Sequence, residues 1–236
     1  MFNSYRGEFV RKWGTRGEGN GQFICPFGVV VSTAGEVYVA DYSNSRIQVF
    51  STHGIFRRKW GVSGAEDGAF NCINGLALSN LHDEIYACDS KNSRIQVFST
   101  AGFFLRKFGT VGDGDGQFRN PSGVAISPVS GDVYVADCTK NVIQVFSREG
   151  IFLRNWLIEF NCPYGLVISK NEEVYVAYYN THRIDVFSTS GQLLYGWGTA
   201  GSGHGQFDNL TGVAISNSGE IFVVDNTNHR MQVFKH

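Results

Sequence analysis

The feature that most constrains the fold is a phrase of the sequence that recurs five times. Each copy ends in a short run of alternating residues such as Arg46-Ile-Gln-Val-Phe50. Successive copies start 48, 48, 41 and 47 residues apart. A period of 40 to 50 residues built from short strands is typical of radial or stacked repeat architectures. The other four copies are Arg94-Ile-Gln-Val-Phe98, Val142-Ile-Gln-Val-Phe146, Arg183-Ile-Asp-Val-Phe187 and Arg230-Met-Gln-Val-Phe234.

One complete unit predicts four antiparallel strands. Gly28–Ser32 is a continuous apolar run, which indicates a strand buried on both faces, and Glu36–Ala40 is rich in β-branched and aromatic residues. Arg46–Phe50 follows a polar hairpin loop. The fourth strand, Ile55–Trp60, carries three consecutive cations, which discourage pairing with another molecule and suit an outermost strand. Four such strands describe the blade of a β-propeller.

The ends of the chain predict how the ring closes. The last unit stops after its third strand, and Glu8–Trp13 matches the fourth strand Ile55–Trp60. We expect this N-terminal strand to complete the last blade, which gives an all-β propeller of five four-stranded blades in a single domain over residues 1–236. The approximate blade limits are 26–61, 73–109, 121–157, 163–198, and 211–236 together with 8–13.

Composition narrows the classes of partner and compartment. Lys and Arg number 20 against 21 Asp and Glu, so the chain has no global basic field for nucleic acid. It lacks an apolar run of about 18 residues that could cross a membrane, and its N-terminus lacks the apolar core of a signal peptide. An odd count of five cysteines without a secretion signal favours reduced thiols and a cytoplasmic location.

When the units are aligned, two equivalent positions (columns of the repeat) carry charged residues that could bind a ligand. A structural role explains both columns better. An acid ends the second strand of four units, where a carboxylate can accept backbone N–H bonds in the following hairpin loop, as in Asx turns. A metal-binding ring of carboxylates is the competing interpretation. The arginine that opens most third strands is interpreted as a donor to loop carbonyls rather than as a phosphate ligand. The acids are Asp41, Asp89, Asp137 and Asp225, and the arginines are Arg46, Arg94, Arg183 and Arg230.

The remaining signals for catalysis or metal binding are weak. The glycine-rich loops lack the following helix of a dinucleotide site and are interpreted as connections between blades. No two histidines have the spacing of metal ligands. Cys25, Cys72 and Cys162 share one column, and neighbouring blades should hold that column beyond disulfide distance. We therefore expect no catalytic residue, no metal and no cofactor.

The repeated motifs resemble NHL repeats, the propeller family found in tripartite-motif ubiquitin ligases. The matching segments include Gly-Gln-Phe at 21–23, Gly-Val-Ala-Ile-Ser at 123–127 and Asn-His-Arg-Met-Gln-Val-Phe at 228–234. The fourth unit departs from the pattern, because Trp156–Phe160 replaces its glycine loop and Tyr178 stands where other units have Asp. The resemblance implies a propeller, and some NHL domains bind single-stranded RNA.

The candidate binding residues are the positions that vary between units. They lie at the start of the innermost strands and in the hairpin loops, which share one end of the blades. Exposed aromatic side chains among amides are common anchors of binding surfaces, although Phe27 and Tyr164 have the alternative role of plugging the channel. The candidates are Phe27, Tyr42, Asn74, Lys91, Arg119, Ser122, Lys140, Tyr164, Tyr178, Tyr179 and Asn226.

Three functions are open at this stage. The first is a non-catalytic, monomeric module that binds a protein or peptide on this face. The second is binding of single-stranded RNA by base stacking on Tyr42 or Tyr179 beside Lys91 and Lys140, which the nearby acids disfavour. The third is a metal-dependent lyase or hydrolase over the channel, for which the innermost positions supply no acid and no histidine.

Overall fold

The chain folds as an all-β, five-bladed propeller, as predicted. The computed structural model describes residues 11–159 and 162–235. Each blade is an antiparallel sheet whose strands neighbour one another in chain order. Blades 1 to 4 have four strands each, and the described part of blade 5 has three. The strands are Pro26–Val31, Glu36–Asp41, Arg46–Ser51 and Phe56–Trp60 in blade 1; Ile73–Ser79, Glu84–Asp89, Arg94–Ser99 and Phe104–Phe108 in blade 2; Pro121–Ile126, Val133–Asp137, Val142–Phe146 and Phe152–Leu157 in blade 3; Pro163–Ile168, Val174–Tyr178, Ile184–Phe187 and Leu193–Trp197 in blade 4; and Leu210–Ile215, Glu220–Asp225 and Arg230–Lys235 in blade 5.

The first strand of each blade lies innermost, around a central channel. A glycine near the start of this strand allows neighbouring blades to approach closely. A Cβ atom at Gly75, for example, would lie 2.6 Å from the carbonyl oxygen of Ser122 in the next blade. Such a contact excludes every larger side chain, so the repeated glycine is required by the packing of the channel wall.

Four apolar cores hold adjacent blades together. Between blades 1 and 2, Tyr38 and Val49 pack with Leu76 and Ile85, and all four are buried. Equivalent cores join blades 2 and 3, 3 and 4, and 4 and 5. Alternating residues of each strand therefore serve opposite faces of the blade, which is the pattern that the sequence repeats.

The faces of blades 5 and 1 that look toward each other are more open. Val29 and Val31 on blade 1 are 60% and 54% exposed. Leu76, which is the equivalent of Val29 on blade 2, is only 7% exposed. On blade 5, Met231 and Val233 are also exposed. Within residues 11–159 and 162–235, no buried core of the kind seen at the other four interfaces joins these two blades.

The predicted closing strand, residues 8–13, lies partly outside the described residues, because residues 8–10 are not among them. Residues 11–13 contact blade 1: the Arg11 Nη1 atom donates to the Thr52 carbonyl at 2.8 Å, and the Trp13 ring lies 6.1 Å from that of Phe50. The fourth strand of blade 1 contacts blade 2 in the same way, through Arg58 and Trp60. The place of residues 11–13 is thus that of a fourth strand preceding blade 1, and closure of the ring remains a prediction.

The glycine loops are connections between blades, as predicted. Three of them are closed by a pair of two-residue parallel strands, of which Thr15–Arg16 with Gln22–Phe23 is the first. The only helices in the described part of the chain are the 3-10 turns Tyr42–Asn44 and Ser90–Asn92. Neither turn is long enough to cross a membrane.

Candidate functional site

The hairpin loops and the starts of the first strands lie at one end of the blades, and we call this surface the loop face. A buried carboxylate organises it. In blade 1, Asp41 is fully buried and accepts hydrogen bonds from the Ile24 N–H at 2.8 Å and the Arg46 Nε at 2.8 Å. Arg46 also donates to the Gly19 and Gln22 carbonyls of the glycine loop. Asp41 and Arg46 therefore have structural roles, as predicted, although the Ile24 N–H that Asp41 accepts from precedes the first strand rather than lying in the hairpin loop.

The same network recurs in blades 2 and 5. Asp89 accepts from the Asn71 N–H at 2.7 Å and pairs with Arg94 at 2.7 Å. Asp225 accepts from the Asp208 N–H at 2.7 Å, and its pKa is lowered: burial raises it, but bonds from that N–H and from Arg230, among others, outweigh the effect. A charged hydrogen-bond acceptor that is fully buried needs several donors, and each blade supplies them from its own loop.

Blade 3 keeps the network with one substitution. Val142 stands where the arginine should be, and Lys140 from the hairpin loop replaces it. The Lys140 ammonium donates to the carbonyls of Gly114 at 3.0 Å and Gln117 at 2.9 Å, which correspond to the carbonyl acceptors of Arg46. The sequence analysis predicted that Lys140 would contact a partner. In the structure, its ammonium group binds the glycine loop.

Blade 4 differs at this position. Tyr178 takes the place of the aspartate and is fully buried, so it is not on the loop face as the sequence suggested. Burial raises its pKa. The Arg183 Nε donates to Asp185, a buried carboxylate on the same strand, at 2.6 Å. Blade 4 follows the shortest connection between blades, and it is also the blade whose second strand does not end in a buried aspartate.

Four aromatic side chains form a continuous row across the loop face. The ring of Tyr42 lies 6.0 Å from Phe27, Phe27 lies 5.5 Å from Tyr164, and Tyr164 lies 5.8 Å from Tyr179. The row runs from blade 1 to blade 4 at the mouth of the channel, where Phe27 and Tyr164 line a cavity of about 320 Å³. We call these four residues the aromatic row.

The members of the aromatic row remain accessible to solvent. Phe27 is 41% exposed, and the three tyrosines are partly buried. A hydrogen bond with Cys72 and burial raise the pKa of Tyr42 to about 12. Burial also raises the pKa of Tyr164. Tyr42 and Tyr164 are therefore neutral at physiological pH, and the rings of the row present an apolar surface with hydroxyl groups.

A disulfide joins two blades beside the row. The sulfur atoms of Cys138, in the hairpin loop of blade 3, and Cys162, before the first strand of blade 4, lie 2.13 Å apart. The expectation that all five cysteines are reduced is wrong for this pair. The column that holds Cys162 faces the preceding blade's hairpin loop, so its cysteine bonds to a residue outside its own column.

The other predicted binding residues differ in accessibility. Asn74 and Ser122 are buried and hydrogen-bonded to the Ser90 hydroxyl and the Pro163 carbonyl, so they hold the strands rather than face a partner. Arg119 is exposed and pairs with Asp113 through an Nε–Oδ1 bond of 2.8 Å. Lys91 and Asn226 are exposed at the hairpin loops of blades 2 and 5.

Sequence reasoning missed Cys72 and the disulfide. Both contacts follow one rule that links neighbouring blades. The residue directly after the acid that ends the second strand of one blade contacts the residue directly before the first strand of the next blade. Tyr42 and Cys72 fill these positions between blades 1 and 2, and Cys138 and Cys162 fill them between blades 3 and 4. In the part of the chain that the structure describes, no group of three His, Cys, Asp or Glu residues could hold a metal ion.

Comparison with known families supports the repeat assignment. The family model described as NHL repeat matches residues 23–50, 70–98, 118–146 and 207–234. These segments fall in blades 1, 2, 3 and 5, and the divergent blade 4 lies outside them. No curated protein sequence gives a significant match.

Solved structures show the same architecture at low sequence identity. The chain is similar to a streptogramin B lyase with a TM-score of 0.65 and 14% identity, over 89% of this chain and 68% of that one. A virginiamycin B lyase from Staphylococcus aureus gives 0.63 and 12%, over 89% and 70%. Kuenenia stuttgartiensis hydrazine synthase gives 0.65 and 17%, over 89% and 58%. Likeness at these identities establishes the fold alone.

Proposed function

The chain belongs to the NHL-repeat β-propellers, and we propose that it is a non-catalytic module that binds a protein or peptide segment on the aromatic row. The observation that carries this proposal is the continuity of the row: four rings from two blades, with neighbouring centroids 5.5 to 6.0 Å apart. Aromatic side chains supply large contact area at a small cost in side-chain entropy, which is why they serve as anchors of interfaces.

The charges around the row favour a protein segment over RNA. Binding of single-stranded RNA combines stacking with cations that contact the phosphates. Of the three cations predicted on the loop face, Lys140 bonds to the glycine loop and Arg119 pairs with Asp113. Lys91 remains exposed. One lysine gives little electrostatic attraction for a polyanion, whereas an apolar row with tyrosine hydroxyls suits a peptide with aromatic or aliphatic side chains.

The lyases among the structural neighbours suggest an enzyme as a second possibility, but no observation on this chain favours it. The channel beneath the row is lined mainly by glycine and aliphatic side chains, with Ser122 and Thr211 as polar members. Ser122 is already hydrogen-bonded to the Pro163 carbonyl. We therefore propose binding without catalysis.

The test is capture of partners from cell lysate with and without RNase, using wild type and the Tyr42→Ala/Tyr179→Ala double variant. We expect protein partners that survive RNase and are lost with the double variant. Phe103→Ala is the matched control, because Phe103 is a 74% exposed aromatic residue just before the outermost strand of blade 2. Loss of partners with RNase would place RNA first. Equal capture by wild type and the double variant would contradict the proposal.

A further inference from the structure

We propose that Cys138 and Cys162 form a reversible thiol–disulfide site that holds the entrance of blade 4, the blade whose second strand ends in Tyr178 where the other blades have an aspartate. The bond joins the hairpin loop of blade 3 to the residue before the first strand of blade 4. By fixing that entrance it also fixes the half of the aromatic row that blade 4 contributes. The consequence for partner binding rests on the proposed function, whereas the redox site itself does not.

Every other blade uses a buried carboxylate to hold its entrance. The backbone N–H before the first strand donates to Asp41 in blade 1, Asp89 in blade 2, Asp137 in blade 3 and Asp225 in blade 5, at 2.7 to 2.8 Å. Each bond ties the incoming chain to the second strand of the same blade. Charge-assisted bonds of this kind are strong in a buried site.

The entrance of blade 4 is tied to blade 3. Tyr178 offers no carboxylate at this position. The Cys162 N–H donates to the side-chain oxygen of Asn141 at 2.9 Å, and the Cys162 sulfur bonds to Cys138. Both Asn141 and Cys138 belong to the hairpin loop of blade 3. The covalent bond thus occurs at the blade whose second strand ends in a tyrosine where the other four end in an aspartate.

The disulfide lies next to the aromatic row. The Tyr179 N–H donates to the Cys162 carbonyl at 3.1 Å, and Tyr164 follows Cys162 by two residues. The Tyr164 ring also contacts both Tyr179 and Phe27. A change in the position of Cys162 would therefore reach both tyrosines of blade 4 through one hydrogen bond and one short segment of backbone.

The redox step requires a small disulfide as oxidant, and glutathione disulfide is a suitable one. A thiolate of the reduced pair attacks a sulfur of glutathione disulfide, forms a mixed disulfide and releases one glutathione thiolate. The second cysteine thiolate then attacks the mixed disulfide and releases the second glutathione. Two electrons and two protons pass from the cysteines to the glutathione. Cys138 is the more exposed sulfur-bearing residue of the pair and is the site for attack from solvent.

The experiment combines thiol counting with amide hydrogen exchange across glutathione redox buffers. The oxidised chain should show three titratable thiols after denaturation, and the reduced chain should show all five. Reduction should speed exchange by about a hundredfold at residues 164–167 and 178–181, because a loop-closing bond is lost. Exchange at the equivalent residues of blade 2, 74–77 and 89–92, should stay unchanged.

Two variants separate the redox site from a general effect of reductant. Cys138→Ser should show the fast exchange in every buffer, and Cys25→Ser, which changes an exposed free cysteine of blade 1, should behave as wild type. Five titratable thiols after exposure to glutathione disulfide would overturn the proposal. Release of two thiols without faster exchange in blade 4 would overturn it as well. Neither result depends on a partner, so failure here is distinct from failure of the proposed binding function.

Discussion

Blades 2 and 4 have the same four-stranded topology but are stabilised by different chemistry. In blade 2, the buried Asp89 gathers bonds from Asn71 and Arg94 on the loop face. At the opposite end of the blade, Glu84 accepts bonds from Arg106 of its own outer strand and Arg148 of the next blade. Charged groups thus tie blade 2 together at both ends and join it to blade 3.

Blade 4 places tyrosines at two positions where blade 2 has charged side chains. Tyr178 stands in place of the aspartate. At the opposite end, Tyr195 takes the position of the outer-strand arginine, and its hydroxyl lies 3.0 Å from that of Tyr175. On the loop face, the disulfide from Cys138 is one of the links between blade 4 and blade 3. Comparison of the two blades indicates that the fold needs a stabilising interaction at the loop face and at the opposite end of each blade. An ion pair, a neutral hydrogen bond or a covalent bond can supply it.

The largest expected effect separates the two blades at the loop face. Asp89→Ala should lower the free energy of unfolding by about 3–5 kcal/mol, because it removes the buried partner of Arg94 and of a backbone N–H. Tyr178→Phe should cost only about 1 kcal/mol, because it removes one hydroxyl and keeps the packed ring. Urea unfolding of both variants is the measurement. Equal losses would show that the two blades do not differ in this way.

The next effect is a pH dependence at the opposite end. Burial raises the pKa of Glu84, but bonds from Arg106, Arg148 and Tyr86 outweigh it and lower the pKa from 4.5 to about 2. Because the folded pKa lies below the unfolded one, the stabilisation is present above about pH 4.5 and is lost as the pH falls toward 2. We expect a contribution of about 2–3 kcal/mol.

Glu84→Gln should therefore flatten the dependence of unfolding free energy on pH between 5 and 2. The matched control is Glu173→Gln, since Glu173 occupies the same position in blade 4 and neighbours Tyr175 and Tyr195 in place of the Tyr86–Arg106 pair. The control removes a carboxylate that lies outside the Glu84 cluster, so the difference between the two profiles isolates that cluster. If the pH dependence of the unfolding free energy flattened equally in both variants, the proposed electrostatic difference between blades 2 and 4 would be wrong.

The smallest effect concerns blade 3, which stands between the two. Lys140→Ala should cost about 1 kcal/mol of unfolding free energy, because its ammonium bonds to two loop carbonyls. Lys91→Ala, in the equivalent hairpin loop of blade 2, should change stability by less than about 0.5 kcal/mol. Thermal unfolding of the pair measures the difference. A neutral Lys140→Ala would mean that this lysine does not replace the arginine of the other blades.

The sequence predicted the fold well because the repeat restates the same information in each unit. Strand order, glycine positions and the structural role of Asp41 and Arg46 all follow from columns that recur. The relation between neighbouring blades was harder to predict. Whether Cys138 meets Cys162 depends on the register of one blade against the next, which spacing within a unit does not give.

The candidate site was predicted only in part. Phe27, Tyr42, Tyr164 and Tyr179 were identified as aromatic residues at one end of the blades, but their order in a single row depends on contacts across the channel. Tyr178 was placed on the face because its position adjoins a hairpin loop. It is buried, as the aspartates at this position in the other blades are. Which partner binds is a property of the row's surface that the repeat does not encode.

The central claim is that the aromatic row contacts a protein partner, and site-specific photo-crosslinking tests it most directly. A photoreactive phenylalanine analogue would replace Tyr179 in one variant and Phe103, away from the loop face, in another. We predict a protein adduct from position 179 that persists after RNase treatment, and none of the same mass from position 103. An adduct formed equally at both positions, or no adduct at position 179, would contradict the account.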